Sequence, residues 1–110
     1  MKYKRYLQPG GMFFFTLVTY KRRKLFVDER SINLFNASVQ YVQIKHPFEM
    51  EAYCICPDHI HMIWTLPEHE VDYPTRLRLL KSHFSHHYID DDYLIVSESR
   101  KKKGEKVVWQ

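Results

Sequence analysis

Hydrophobic residues recur along this chain at two different spacings, one typical of strands and one typical of helices. Residues 12–20 are dense in aromatic and β-branched side chains, which predicts a buried strand. Over residues 28–45 the apolar positions recur at intervals of three and four, which predicts a helix that stops before Pro47. A second helix is predicted over about residues 74–88, because Asp72 and the proline at 74 suit a helix start.

Between the two helices, the pattern predicts a hairpin. Residues 48–56 alternate in polarity, and strict alternation places Cys54 and Cys56 on the same side as Phe48. We expect Pro57 and Asp58 to form a turn and residues 59–66 to return as the second strand of the hairpin. Residues 93–96 are predicted to form a further short strand. This order of elements predicts an α+β domain of the ferredoxin-like (βαββαβ) type, with an antiparallel sheet packed on two helices.

Composition is that of an ordinary folded domain. The chain has 110 residues, 45% of them hydrophobic and 27% charged, so we expect a single domain over residues 1–110. Its two cysteines do not indicate a disulfide framework. No apolar run approaches the length needed to span a membrane and no signal peptide is indicated, so we expect a cytoplasmic protein without a membrane partner.

The charge of the chain suggests an acidic partner. Its formal net charge is +4 and its pI is about 9.1, which makes nucleic acid the first candidate. Basic residues gather in three clusters that could contact phosphates, although a solvated charged face is the alternative for each. The candidate DNA-binding residues are Lys21, Arg22, Arg23, Arg76, Arg78, Lys81, Arg100, Lys101, Lys102 and Lys103.

The stretch at residues 56–64 carries the most informative chemistry. His59 and His61 lie two apart on a predicted strand, so both imidazoles face the same side, while Ile60, Met62 and Trp64 face the other. Two imidazoles on one face can bind a divalent metal and leave positions open for a substrate oxygen. Two histidines on a solvent-facing strand can also arise by chance, but the Pro-Asp turn and the apolar strand around them favour the metal site.

A zinc site made of Cys54, Cys56, His59 and His61 is the rival hypothesis. It would crowd four ligands into one hairpin, and strand pairing would have to bring both pairs onto a single face. We expect instead that the two cysteines are small core residues on the apolar side of their strand.

Taken together, these segments resemble the HUH tyrosine transposases, and in particular the REP-associated tyrosine transposases of bacterial genomes. Residues 14–23 look like the first strand of that family, and residues 80–85 look like its basic helix. Residues 53–64 are similar to its signature, in which Asn more often stands at the place of Asp58. Residues 104–110 resemble the approach to its final helical region.

The resemblance implies a mechanism and a set of partners. His59 and His61 would bind Mg²⁺ or Mn²⁺, and a tyrosine on a later helix would attack single-stranded DNA at hairpin ends and form a 5′-phosphotyrosine link. A polar third metal ligand would follow that tyrosine by one turn. We expect this tyrosine beyond Gln110, so that the chain is cut short and inactive alone. A partner chain that carries the tyrosine helix could complete the site, because related transposases place this helix across a dimer, and a homodimer is one expected assembly.

Two other functions stay open from the sequence. The chain could be a non-catalytic remnant that binds hairpin or single-stranded DNA. It could also be a ferredoxin-like metal-binding or structural module that does not act on DNA.

Overall fold

The computed structural model describes residues 10–88 and 108–110 of the chain. Its elements agree with the predicted ones to within about two residues at each end, and the strand predicted at residues 93–96 lies outside the described residues. In chain order they are β1 (Met12–Val18), a 3₁₀ turn (Tyr20–Arg22), α1 (Glu29–Lys45), β2 (Glu49–Cys56), β3 (His59–Thr65) and α2 (Tyr73–His87).

The three strands form one antiparallel sheet in the order β1-β3-β2. The strands β2 and β3 are the predicted hairpin, and the two-residue turn between them is formed by Pro57 and Asp58. Both helices contribute to a single hydrophobic core against one face of the sheet. The fold is therefore the predicted α+β arrangement, and its order β-α-β-β-α matches the first five elements of the ferredoxin-like pattern.

Side chains of β1 and β3 alternate between the two faces of the sheet. On the helix-covered face, Phe15 of β1 contacts Trp64 of β3 with ring centroids 4.8 Å apart, and both side chains are fully buried. On the other face, Phe14 is 51% exposed. Among the described residues, β1 is thus buried on one side only, and the side of the sheet away from the helices is called the open face below.

An aspartate caps the N-terminus of each helix. The carboxylate of Asp28 accepts a hydrogen bond from the backbone N–H of Ser31, and Asp72 does the same for Thr75. These backbone hydrogen bonds lower the pKa of both carboxyl groups. The predicted start of the second helix near Asp72 is confirmed.

The alternation predicted for β2 is wrong beyond Met50. Met50 lies opposite Trp64 and Ala52 lies opposite Ile63, so one extra residue is inserted between them as a β-bulge. A single inserted residue moves every following side chain to the other face of the sheet. Cys54 and Cys56 therefore lie on the open face, where Cys54 is exposed, and the prediction that they are core residues is wrong for this reason.

The last described residues of the chain lie beside the end of β1. The backbone N–H of Tyr20 donates to the carbonyl of Val108 at 2.8 Å, and that of Gln110 donates to Val18 at 2.9 Å. The Trp109 ring packs against Phe26 with ring centroids 6.0 Å apart. None of the helices in the described ranges is long and apolar enough to cross a membrane.

Candidate metal and nucleic-acid site

His59 and His61 lie next to each other on the open face of the sheet, as the sequence predicts. Across β1, His61 pairs with Thr16 and His59 pairs with Val18. The two imidazole rings have centroids 4.8 Å apart and stand nearly perpendicular, at 78°. The intervening Ile60 is completely buried in the core, so the strand fixes both imidazoles on the outer surface.

One ring nitrogen of His59 is held by the turn residue before it. Nδ1 of His59 lies 2.7 Å from a carboxylate oxygen of Asp58. The hydrogen bond with His59, and then that with Arg22, lowers the pKa of Asp58, so this carboxyl group is ionised at neutral pH. Because an ionised carboxylate can only accept a hydrogen bond, Nδ1 of His59 must carry the hydrogen, and Nε2 of the neutral ring keeps its lone pair for a ligand.

His61 is held in the same manner by a neighbouring strand. Its Nδ1 lies 3.1 Å from the hydroxyl oxygen of Thr16, and the ring of Phe14 lies beside it with centroids 6.2 Å apart. In the tautomer whose Nδ1 donates to the Thr16 hydroxyl, Nε2 of the neutral ring keeps its lone pair for a ligand. Within residues 10–88 and 108–110, no hydrogen bond engages Nε2 of either histidine, so both histidines direct the same free atom to a ligand.

The turn that carries Asp58 is tied to the loop after β1. Arg22 Nε donates to the Asp58 carboxylate at 2.9 Å, and the backbone N–H and hydroxyl of Thr19 both donate to the Asp58 carbonyl at 3.1 Å. In this loop Lys21 and Arg22 have φ angles of +53° and +54°, a region that non-glycine residues seldom occupy. The loop therefore holds a strained conformation that brings two basic side chains to the edge of the histidine site.

The two cysteines of β2 face the same histidines across the hairpin. Cys54 is paired with His61 and Cys56 with His59, and the two sulfur atoms are 4.0 Å apart. Partial burial, and then the neighbouring Cys54 thiol, raise the pKa of Cys56. Because of the bulge in β2, the two cysteines and the two histidines lie on the same face of the sheet. With strict alternation in β2, the cysteines would lie on the opposite face.

A complete set of metal ligands is not assembled among the described residues. Over residues 10–88 and 108–110, no three His, Cys, Asp or Glu side chains are gathered around a common point. The histidine pair could nevertheless supply two of the ligands of a divalent metal, because the Nε2 atom of a neutral imidazole is a suitable metal ligand.

Arg76 differs from the other predicted DNA-binding residues because it is buried, with 1% of its surface exposed. Its guanidinium donates to the carbonyls of His46, Pro47 and Asp72 and to the carboxylate of Glu70, at 2.9 to 3.2 Å. This side chain joins α2 to the turn before β2 and has no surface to offer a phosphate. Its role is structural, and we leave it out of the candidate DNA contacts.

The remaining candidate DNA-binding residues fall into three groups. Lys21 and Arg22 are exposed and Arg23 is half-buried in the loop beside the histidines. On α2, which packs on the other side of the sheet, Arg78 is exposed and Lys81 is half-buried. The third group, which is Arg100, Lys101, Lys102 and Lys103, lies outside the described residues.

Two residues of the site were not assigned from the sequence. Asp58 was recognised as a turn residue, although its position directly before His59 could have suggested that it orients the ring. Thr16 lies 45 residues from His61 in the sequence, and its contact depends on the register between β1 and β3. The pattern of residues within either strand does not predict that register.

Comparison with known proteins identifies the family. The family described as "Transposase IS200 like" matches residues 11–110. A protein of Haemophilus influenzae named as a REP-associated tyrosine transposase is 34% identical over 108 residues, which are 98% of this chain and 60% of that protein. The REP-associated tyrosine transposase of Escherichia coli is 38% identical over 85 residues, which are 77% of this chain and 51% of that protein.

Solved structures agree with this assignment. The structure of a REP-associated tyrosine transposase bound to a REP hairpin superposes with a TM-score of 0.71 at 30% identity, over all of this chain and 57% of that one. A crystal structure from Deinococcus radiodurans, described as a transposase, shares the fold with a TM-score of 0.59 at 20% identity, over 78% of this chain and 65% of that one. The chain therefore spans about half to two thirds of the length of these proteins.

Proposed function

The chain belongs to the IS200-like transposase family, and we propose that it forms the metal-binding and DNA-binding part of a single-strand DNA endonuclease and strand transferase. The observation that carries this proposal is the pair of free Nε2 atoms that His59 and His61 present on the open face of the sheet. In the proposal, the scissile strand of a DNA hairpin lies on this face.

The proposed metal is Mg²⁺ or Mn²⁺, held through Nε2 of His59 and His61. Such an ion polarises a phosphate oxygen and stabilises the charge that develops as the phosphodiester breaks. Asp58 accepts from Nδ1 of His59 and so directs Nε2 of that ring to the metal, and Thr16 fixes the orientation of His61. The open face leaves room for the further ligands that two imidazoles do not provide.

Phosphate contacts are proposed for the basic residues of two surfaces. Lys21, Arg22 and Arg23 follow β1 directly and border the histidine site, so they can bind the backbone of a strand that reaches the metal. Arg78 and Lys81 on α2 would bind a more distant part of the hairpin. The similarity to a REP-associated transposase that was solved with a REP hairpin supports this choice of ligand.

We propose that the nucleophilic tyrosine is none of Tyr41, Tyr73 and Tyr88. Tyr73 is buried against Phe13 and Phe15, and Tyr41 is stacked on His83 at the helices. Tyr88 caps α2 and stacks on Phe84. These contacts are structural, and the relatives extend well beyond the length that this chain spans.

Binding and cleavage of a labelled DNA hairpin with a single-stranded flank test this proposal. At about 150 mM salt and with Mn²⁺ present, we expect fluorescence anisotropy to show tighter binding of the hairpin than of a blunt duplex with the same number of nucleotides. Equal affinities for the two DNAs would contradict a hairpin-specific role. We expect no cleavage, and a covalent protein–DNA product would show that a tyrosine of these 110 residues is the nucleophile.

A further inference from the structure

We propose that Cys54, Cys56, His59 and His61 bind one thiophilic divalent cation of the zinc type. This site goes beyond the proposed function, which uses a harder ion on the two histidines alone. The cation would lie between β2 and β3 on the open face of the sheet.

Strand register carries the first step of the argument. Cys54 lies directly opposite His61 and Cys56 directly opposite His59, so the four residues form two neighbouring cross-strand pairs. Side chains of directly opposed residues in an antiparallel sheet start from Cβ atoms about 4.5–5.5 Å apart. The backbone thus places four potential ligands at the corners of one small patch, and the bulge after Met50 is the feature that makes this possible.

The spacing of the two sulfur atoms is the second step. They are 4.0 Å apart. Two thiolates that share a tetrahedral zinc, each with a Zn–S distance of about 2.3 Å, are separated by about 3.8 Å. The dithiol is therefore within a few tenths of an ångström of the separation that chelation of one zinc ion requires.

The state of the histidines is the third step. Nδ1 of His59 is bonded to Asp58 and Nδ1 of His61 is bonded to Thr16, and Nε2 is the ligand atom of both rings when each Nδ1 is the donor. Two imidazole nitrogens and two thiolates are a donor set that zinc prefers over magnesium or manganese, because thiolates are soft ligands.

Closure of the site requires movement of side chains only. The four ligand atoms are not gathered around a common point within residues 10–88 and 108–110. Cys54 is exposed and Cys56 is half-buried, so in the proposal the two cysteine side chains rotate toward Nε2 of the histidines, whose rings stay bonded through Nδ1. Each thiol that ligates the cation loses its proton to solvent, so binding releases up to two protons.

A regulatory consequence follows, and it rests on the proposed function. Because one ion would occupy Nε2 of both histidines, zinc and manganese could not be bound there together. Zinc bound in this way would inhibit a DNA cleavage reaction that depends on manganese at the same histidines.

Titration of the full chain with Co²⁺, used as a spectroscopic probe for zinc, tests the site. We expect one equivalent of Co²⁺ to produce thiolate-to-cobalt charge-transfer absorption, and one equivalent of Zn²⁺ to remove it. The double variant Cys54→Ser/Cys56→Ser should lose this absorption, and its zinc affinity should fall by more than the roughly 10–100-fold caused by losing an outer-shell partner. Calorimetry on the same double variant should give a manganese affinity close to that of the original chain.

These results separate the two proposals. An absence of charge-transfer absorption in the original chain, or an unchanged zinc affinity in the cysteine variant, would overturn the zinc site and leave the histidine site in place. One metal bound per two chains, measured by size-exclusion chromatography with metal analysis, would also overturn it. The variant Cys54→Ala/Cys56→Ala, with circular dichroism as a check of folding, gives a second test that does not depend on the serine hydroxyl.

Discussion

Asp58 and His59 are adjacent in the chain, and the carboxylate of Asp58 lies 2.7 Å from Nδ1 of the His59 ring. This contact fixes which nitrogen of His59 carries the hydrogen and which one is free for a metal. The same carboxylate accepts a hydrogen bond from Arg22 at 2.9 Å, so one residue joins the histidine pair to the basic loop after β1.

Replacement of Asp58 should show whether manganese affinity depends on its hydrogen bond to His59 or on its negative charge. In Asp58→Asn the amide oxygen can still accept from Nδ1 of His59, so we expect manganese affinity to fall only a few-fold. In Asp58→Ala the ring loses its partner, and we expect a loss of about 10–100-fold. Calorimetric titration of both variants measures this difference, and equal losses would show that the charge, rather than the hydrogen bond, matters.

The strands and helices followed from the sequence because hydrophobic spacing reports them directly. The burial of Ile60, Met62 and Trp64, and with it the position of the two histidines on the opposite face, follows from an alternation that β3 keeps without interruption. Those positions were therefore predicted correctly.

The position of the cysteines was predicted wrongly because a bulge leaves little trace in the sequence. Glu51 is exposed, and nothing in its neighbourhood marks it as an inserted residue. Arg76 was misjudged for a related reason, since a basic residue on a helix is exposed in most proteins. Its burial depends on carbonyl groups at His46 and Pro47, which are about 30 residues away in the chain.

Arg76 should contribute strongly to stability. In Arg76→Ala the carbonyls of His46, Pro47 and Asp72 lose their donors, and we expect the free energy of unfolding to fall by about 3 kcal/mol or more. Urea denaturation followed by circular dichroism measures this change. The control is Arg78→Ala, an exposed position on the same helix, which should stay within about 0.5 kcal/mol of the original chain. Similar small effects for both variants would contradict a structural role for Arg76.

His83 should make stability depend on pH near neutrality. It is hydrogen-bonded to Ser38 at 2.8 Å, and burial, followed by the charges of His87 and His86, lowers its pKa. Below about pH 6.5, this histidine binds a proton in the unfolded chain more readily than in the folded chain. The free energy of unfolding is therefore largest above about pH 6.5 and decreases as the pH falls through the lowered pKa of His83.

Thermal unfolding of the variant His83→Asn at about pH 7.5 and pH 5.5 tests this expectation. The Asn side chain can keep the bond to Ser38 but does not titrate, so its melting temperature should fall less between the two pH values than that of the original chain. His69→Gln, at an exposed loop position, is the control and should behave like the original chain. An undiminished pH response in His83→Asn would rule out His83 as the source.

Salt dependence of DNA binding should identify the phosphate contacts. Each residue that binds a phosphate adds about 0.9 to the slope of log affinity against log salt concentration for a duplex, and about 0.7 for a single strand. We therefore expect Lys21→Ala and Arg78→Ala each to lower the slope for the hairpin by about 0.7–0.9. A variant whose slope stays at the original value does not contact a phosphate, and that residue would be removed from the proposed interface.

Manganese binding to histidine variants tests the central proposal most directly. Calorimetric titration of the original chain with Mn²⁺ should give one site, and this site should be lost in both His59→Ala and His61→Ala. The control is His86→Ala, an exposed histidine on α2, which should keep the original affinity. Loss in the two strand variants together with retention in the control would support a metal site at the histidine pair. Unchanged manganese affinity in both strand variants would contradict it.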